Sequence, residues 1–411
     1  MNALKRVAIT GVGLTTPLGN SFSQFMNSLY EAKTAIKNYE HLKEFGCLKT
    51  KLAALLENFN EDKILTRQMR RSMSRVSLLA VDSTAKAIND CNINEHVLHN
   101  ANTGVAFGST MGGTSTLEDC FQKYFTNKNF NGMLSSTFLR IMPHTCAANI
   151  ALAFGITGRA IATSTACASS TQAIGFGFES IQNGLAKTMI CGGAEEFHIS
   201  IPAVFDVMFA TSTNFNSTPE LSPKPFDENR DGIVVGEASA TVILEEWEQA
   251  IARGAKIYAE IVSFHTNTDA GHMTNPSTIG MTTVMSEALE KGNIKAENIS
   301  YINAHGTGTI IGDIAESQAI YNLFKNKVPV SSLKGHLGHL MGACGVVETI
   351  ACLGMLNSNV LIPTKNLINP DPKCGALDYI KLKPRVSEQL FILKNSFAFG
   401  GVNATLVIKK V

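Results

Sequence analysis

Short apolar runs of strand length alternate along this chain with longer segments in which apolar residues recur at helical spacing. "KRVAITGVG" predicts a buried strand ending in a glycine turn, and residues 61–90 predict a helix with an apolar face and a basic N-terminal half. "TGVAFGSTMGG" and "KTMICGGAEE" read as strands running into glycines, and "ASATVILEEWEQAIARG" as a strand followed by a helix that stops at Gly254. The same grammar then restarts. "KIYAEIVSFHTN" predicts a strand, "MTTVMSEALEKGN" a helix, "ISYINAHGTGT" a strand into glycines and "GDIAESQAIYNLF" a helix. "VPVSSLKGHLGH" predicts a strand into a loop, "GACGVVETIACLGML" a helix, and "FILKNSFAFGGVNATLVIKK" two strands around a glycine turn. Alternation of this kind implies an α/β protein with covered sheets. No linker of biased composition divides the chain, so two tightly joined halves are expected, 1–250 and 251–411, with an ancient duplication as a possible origin.

"IATSTACASSTQAIGFGF", from Ile161 to Phe178, breaks the pattern by crowding small residues around Cys167. Two readings fit. Small side chains let backbones pack closely around a buried cysteine. Alternatively, a helix that begins near Cys167 offers free N–H groups and a dipole that stabilise a thiolate.

Composition narrows the choice. The chain has 411 residues, 45% hydrophobic and 17% charged, which suits a folded protein of two halves. A net charge of +1 gives no global reason to expect nucleic acid or an anionic membrane as partner. The nine cysteines are scattered without a Cys-x-x-Cys pair, so neither a disulfide framework nor a cysteine zinc site is suggested, and a cytoplasmic setting fits. The N-terminus lacks the pattern of a signal peptide, and the uncharged run from Ala160 to Phe178 is too rich in Ser, Thr and Gly for a membrane span.

Three strand ends collect the reactive residues: "STACASS" with Cys167, "NAHGTGT" with His305, and "KGHLGHLMGACG" with His336 and His339. A cysteine with histidines in loops at strand ends suits a nucleophile with electrostatic partners. His336 and His339 could share a metal on a helix, but no third ligand lies close in sequence, and no metal is expected. "GTGT" lacks the Lys-Ser/Thr ending of a phosphate-binding loop.

These motifs, together with "VAITGVGLTTPLG", "PFDENRDGIVVGE", "DAGHMTNP", "NAHGTGTIIGDIAE" and "NSFAFGGVNATLV" in that order, make the whole chain resemble a β-ketoacyl-[acyl-carrier-protein] synthase of the elongating KAS I/II type. The resemblance implies a thiolase fold: two similar α/β halves in five αβαβα layers, assembled as a dimer. It implies Cys167 as the acyl-accepting nucleophile, His305 and His339 as the active-site histidines, and Lys334 and Glu348 as supporting residues. Phe399 is implied as a gate whose N–H joins that of Cys167 in an oxyanion hole, and Thr307 and Thr309 as contacts of the phosphopantetheine arm. His336 falls where the family has no catalytic histidine. The implied reaction is acyl transfer to Cys167 and condensation with malonyl-carrier protein with loss of CO2. It needs no bound cofactor, because the substrates ride on the 4'-phosphopantetheine of acyl carrier protein. A low-pKa thiol at a helix start would supply the nucleophile.

Departures from the family pattern bear on substrate. "FAFGG" and Val402 replace the usual "FGFGGTN", and the methyl of Ala398 stiffens the gate loop. Met111 falls where elongating enzymes carry a residue that limits chain length. Counted without gaps from "GGAE", Asp206 falls at a pocket phenylalanine. Either Asp206 caps a turn or meets a dimer partner, or the substrate is specialised, as in a polyene or polyketide pathway with a partner subunit. Arg67, Arg70, Arg71 and Arg75 crowd one helix start, and the resemblance puts them near the docking surface for an acidic carrier protein. Two relatives of other activity are disfavoured. A non-catalytic chain-length partner lacks the cysteine, and a degradative thiolase carries a second cysteine at the C-terminal glycine turn.

Overall fold

The computed structural model describes residues 4–46, 48–60 and 65–411. Its main sheet has eleven strands: β1 (Val7–Thr15), β2 (Thr103–Gly108), β3 (Ala160–Thr163), β4 (Thr188–Glu195), β5 (Ala238–Glu246), β6 (Ala259–Thr268), β7 (Ile299–Asn303), β8 (Pro329–Ser331), β9 (Asp378–Tyr379), β10 (Phe391–Ala398) and β11 (Val402–Lys409). Across the sheet they run β9-β8-β7-β10-β11-β6-β1-β5-β4-β2-β3.

The order contains a repeat. From β1 outward, through β5, β4, β2 and β3, the pairings are antiparallel, antiparallel, parallel, parallel. From β6 outward, through β11, β10, β7 and β8, the same sequence of pairings recurs. The halves join where Val7, Ala8 and Ile9 pair with Ile261, Glu260 and Ala259. Equivalent strands also lead into equivalent helices: β3 into Ser169–Gln182, and β8 into Cys344–Ser358. These two helices touch each other between the halves and are buried along nearly their whole lengths. Outside them, Arg75–Cys91 and Thr145–Phe154 cover the first half, and Thr278–Lys291 and Ile310–Phe324 the second. The layers are therefore α, β, α, β, α, the thiolase fold.

Two expectations change. The glycines of "KRVAITGVG" and "KTMICGGAEE" do not end their strands, since β1 continues to Thr15 and β4 to Glu195. They serve close approach instead. A Cβ on Gly13 would come within 1.9 Å of the Ser83 carbonyl oxygen, so its absence lets the helix Arg75–Cys91 lie directly on β1. The helix expected over 61–90 begins at Arg75, capped by Ser74, after a single turn at Met69–Ser72; positions 61–64 of that expectation lie outside the described residues.

The cysteines among the described residues are free. One helical stretch there, Met341–Ser358, is long and apolar enough to cross a membrane, and it is 89% buried as the central layer of the fold.

Candidate active site

The three strand ends meet where the two halves join. After β3, Ala166 takes φ +48° and turns the chain so that Cys167 sits in a tight turn leading into the helix Ser169–Gln182. Ser169 fixes that turn: its Oγ accepts from the Thr165 N–H at 2.9 Å and donates to the Ala166 carbonyl at 2.7 Å. The small residues also have a packing role. A Cβ on Gly345 would come within 2.2 Å of Thr171 Oγ1, so the two central helices cross almost backbone to backbone. The close-packing reading of the small-residue run therefore holds, and a helix does start just after Cys167.

His339 lies with Nε2 3.0 Å from Cys167 Sγ. Its Nδ1 accepts the Met341 N–H at 3.1 Å, so the ring proton belongs on Nε2 and points at the sulfur. Met341 holds φ +48°, a conformation a methionine seldom takes, and this kink aims its N–H at the ring. Cys344 Sγ stands 3.0 Å from the same Nδ1 and accepts the Leu340 N–H at 3.0 Å. His305 lies edge-on to His339, ring centroids 5.3 Å apart. Its loop is gripped through the backbone: Glu316 accepts the N–H groups of His305 and Gly306 at 2.7 and 2.6 Å, and Lys334 Nζ donates to the His305 carbonyl at 2.5 Å. His305 Nδ1 itself has no hydrogen-bond partner among the described residues. Lys334 also donates to Glu348 at 2.6 Å, with both side chains buried.

Burial holds both histidines well below the ordinary range, and the Lys334 ammonium adds to this, so both rings are neutral. Burial likewise pushes the Cys167 thiol up to about 12, against the opposing pull of Lys334. The resting group is thus a thiol, not the low-pKa thiolate expected from the helix start alone. Ligand atoms of Cys167, His305 and His339 lie within 4.8 Å of one another. A metal there would need the Nε2 lone pair of His339. That would force a proton onto Nδ1, directly against the Met341 N–H, so the donor set does not suit a cation.

Above these groups opens a mainly apolar cleft with about 830 Å³ of empty space out to its mouth. Phe205, Ile233, Met281, Phe397, Ala398 and Phe399 supply its apolar walls, with the Phe399 ring 5.3 Å from that of Phe205. Thr307 and Thr309 also line it, their hydroxyls 2.9 Å apart.

Residues 4–250 match the family model of the beta-ketoacyl synthase N-terminal domain, and residues 258–368 that of the C-terminal domain. The chain belongs to the β-ketoacyl synthase family. It is 36% identical to 3-oxoacyl-[acyl-carrier-protein] synthase 2 of Synechocystis sp., over 99% of this chain and 98% of that protein. A β-ketoacyl synthase structure from Burkholderia phymatum is 41% identical, with a TM-score of 0.96 over 99% of this chain and 100% of its own. A type II polyketide synthase acyl-carrier protein in complex with its ketosynthase bound to the hexaketide is 26% identical, with a TM-score of 0.91, over 99% of this chain and all of that one. The reaction class follows: the protein is a β-ketoacyl-[acyl-carrier-protein] synthase, an acyltransferase that condenses thioesters.

Several residues flagged in the synthase's sequence lie away from the cleft. Met111 is half-exposed and is not part of the cleft wall. Asp206 is buried and turned away, its carboxylate accepting the Lys49 N–H at 2.5 Å and the Thr211 hydroxyl. Its neighbour Phe205 lines the cleft instead. With Asp206 accounted for locally, it gives no argument for a specialised substrate. Arg67 and Arg71 are exposed and Arg70 half-buried, but Arg75 is bound to buried Glu237 at 2.9 Å and serves the fold. His336 bridges the carbonyls of Lys33 and Pro363 at 3.0 Å each, far from any role with His339 as a metal pair.

Sequence reasoning missed three charged residues. Glu195 accepts the N–H groups of Thr110 and Gly342, tying β4 to the His339 loop, and burial pushes it up to about 7. Glu316 does the equivalent for the His305 loop, also pushed up to about 7 by burial. Lys394 is fully buried in β10. Its signal was present: a lysine inside the apolar strand pattern "FILKNSF".

Proposed function

We propose that Cys167, His305 and His339 divide a two-stage condensation between them. In the first stage, Cys167 Sγ bonds to the acyl carbon of a carrier-bound thioester. The pantetheine sulfur departs with the thiol proton, and the backbone N–H groups of Cys167 and Phe399 hold the transient oxyanion. In the second, malonyl thioester loses its carboxylate as CO2. The electron pair of the broken C–C bond forms an enolate, whose oxygen takes hydrogen bonds from His339 Nε2 and the His305 ring. The enolate carbon then attacks the acyl-Cys167 carbonyl, the C–S bond breaks, and the Cys167 thiolate regains a proton from solvent. The product is 3-oxoacyl-carrier protein.

The observation that carries this reading is the fixed Nε2–H of His339, 3.0 Å from Cys167 Sγ, with both side chains buried. Lys334 and Glu348 hold the His305 loop, and the Thr307 and Thr309 hydroxyls receive the amides of the pantetheine arm. No bound cofactor enters the scheme, because the carrier's 4'-phosphopantetheine presents both substrates. Arg67, Arg70 and Arg71 form the basic docking surface for the acidic carrier protein. A second copy of the chain covers the exposed aromatics Phe121, Phe125, Phe130 and Phe138 and the open edge of β3, giving a homodimer that works in the cytoplasm.

Incubation with acyl- and malonyl-carrier protein, followed by mass measurement of the protein and product, tests the scheme. An acyl mass on Cys167 that converts to 3-oxoacyl-carrier protein supports it. An acyl mass on another cysteine overturns it.

A further inference from the structure

Two lysines share one carboxylate beneath the histidines. Lys334 Nζ reaches Glu348 Oε1 at 2.6 Å, and Lys394 Nζ reaches Oε2 at 3.2 Å. All three side chains are within 1% of complete burial. Beside that ion pair, Lys394 bonds to the Asn395 carbonyl at 2.9 Å, the Thr171 hydroxyl at 3.2 Å and the Ser396 hydroxyl, which together match its three N–H groups. Burial lowers Lys394 from its ordinary value and Glu348 opposes this; the Glu348 carboxylate and the Asn395 carbonyl, which can only accept, favour the ammonium. The cluster thus carries one net positive charge in the dry centre of the fold. That arrangement is costly, and a neutral side chain of similar length could fill the space.

We propose that Lys394 is an electrostatic positioning residue: the excess charge of the Lys334–Glu348–Lys394 cluster keeps His305 and His339 in their neutral, hydrogen-bond-donating form under acidic conditions. The inference rests on the roles proposed above for the two histidines. A protonated imidazole near the cluster faces a like charge at short range in a low-dielectric medium, so the histidines resist protonation. Burial is the largest contribution to the depression of both rings, and Lys334 and Lys394 act in the same direction on both.

Other titratable groups pack on the same site. Glu195 and Glu316 each titrate near neutrality, both pushed up to about 7 by burial. The Cys167, Cys344 and Cys352 thiols are all raised by burial and stay neutral below that range. None of these residues is substituted in the variants below; the thiols also feel Glu348, and Cys344 and Cys352 feel Lys394, but burial keeps them neutral across the acid limb.

The test is the pH dependence of malonyl-carrier protein decarboxylation. Lys394→Met and Lys394→Gln remove the excess charge and reduce the cluster to a neutral pair. In both, the acid limb of the profile moves toward neutral pH. Activity at about pH 5.5 relative to about pH 7.5 falls by roughly threefold or more against the parent. Lys394→Met combined with Glu348→Gln restores the single positive charge, and the acid limb returns toward its original position even if the absolute rate stays low. A purely structural lysine lowers the rate evenly across pH and gives no recovery in the double variant. That result overturns the proposal. The two single substitutions differ in polarity, so a packing failure peculiar to one leaves the other to decide. Failure of the underlying reading looks different: the parent enzyme would not decarboxylate malonyl-carrier protein at any pH.

Discussion

The two histidine loops hold their rings by opposite means. At His339 the ring itself is held: one nitrogen accepts the Met341 N–H and the other faces Cys167. At His305 the backbone is held, by Glu316 on its N–H and Lys334 on its carbonyl, while Nδ1 of the ring has no hydrogen-bond partner among the described residues. The first histidine can only be a donor from Nε2, because moving its proton would set two N–H groups against each other. The second is fixed in position but not in tautomer, so it can also exchange a proton. Two histidines beside the same sulfur are therefore suited to unequal work.

The largest expected effect separates both loops from the thiol. Cys167→Ala abolishes acyl loading while malonyl decarboxylation persists, measured by protein mass and by CO2 release. Loss of both half-reactions would mean that the loops depend on the sulfur, and the comparison would fail. Next, His305→Ala and His339→Ala each slow decarboxylation by about 10²–10³-fold, the usual cost of a lost oxyanion donor, with a smaller effect on loading. The comparison itself is sharpened by glutamine, whose amide donates a hydrogen bond but cannot carry a proton across. His339→Gln should retain about tenfold more single-turnover decarboxylation than His305→Gln. Equal losses would make the two rings equivalent.

A smaller effect is expected at Cys344, whose thiol adds a second contact to His339 Nδ1. Cys344→Ala should lower decarboxylation by about threefold, and Cys344→Ser should recover most of it. The smallest catalytic effect belongs to Asp206, which touches neither loop. Asp206→Ala should leave acyl-chain preference unchanged but lower unfolding stability by about 1–3 kcal/mol in denaturant titration, because it strands the Lys49 N–H and the Thr211 hydroxyl. A change of chain preference would return Asp206 to the acyl pocket.

Much of this was legible in the chain before folding. The strand–helix alternation carried the fold class, and the ordered motifs carried Cys167, His305 and His339. What stayed hidden depended on distance in space. Gly11 and Gly13 look like turn residues because a turn is the common local use of glycine. Only the helix lying across β1 reveals that they clear space. The thiolate expected at Cys167 followed from the local helix start, but burial by distant elements outweighs it. Asp206 and Phe205 are neighbours on one short helix, yet Phe205 lines the cleft while the Asp206 carboxylate is tied to Lys49 and Thr211, a difference that only the folded chain shows. The role of Lys394 stays hidden in the sequence because its partners Thr171 and Glu348 come from two remote segments.

That remoteness has a consequence for how the protein comes into being on the ribosome. The hairpin of β10 and β11 is made after β6, β7 and β8, yet it inserts between β7 and β6, in the middle of the second half. It also delivers Lys394 against the nucleophile's helix and Phe399 against the cleft. Until Val402–Lys409 has emerged, β6 lacks a neighbour on one side and Glu348 has only one of its two cations. A nascent chain can have synthesised its nucleophile and both histidines and still possess no assembled site. The reactive thiol is thus kept from acylation until the second half can close around it.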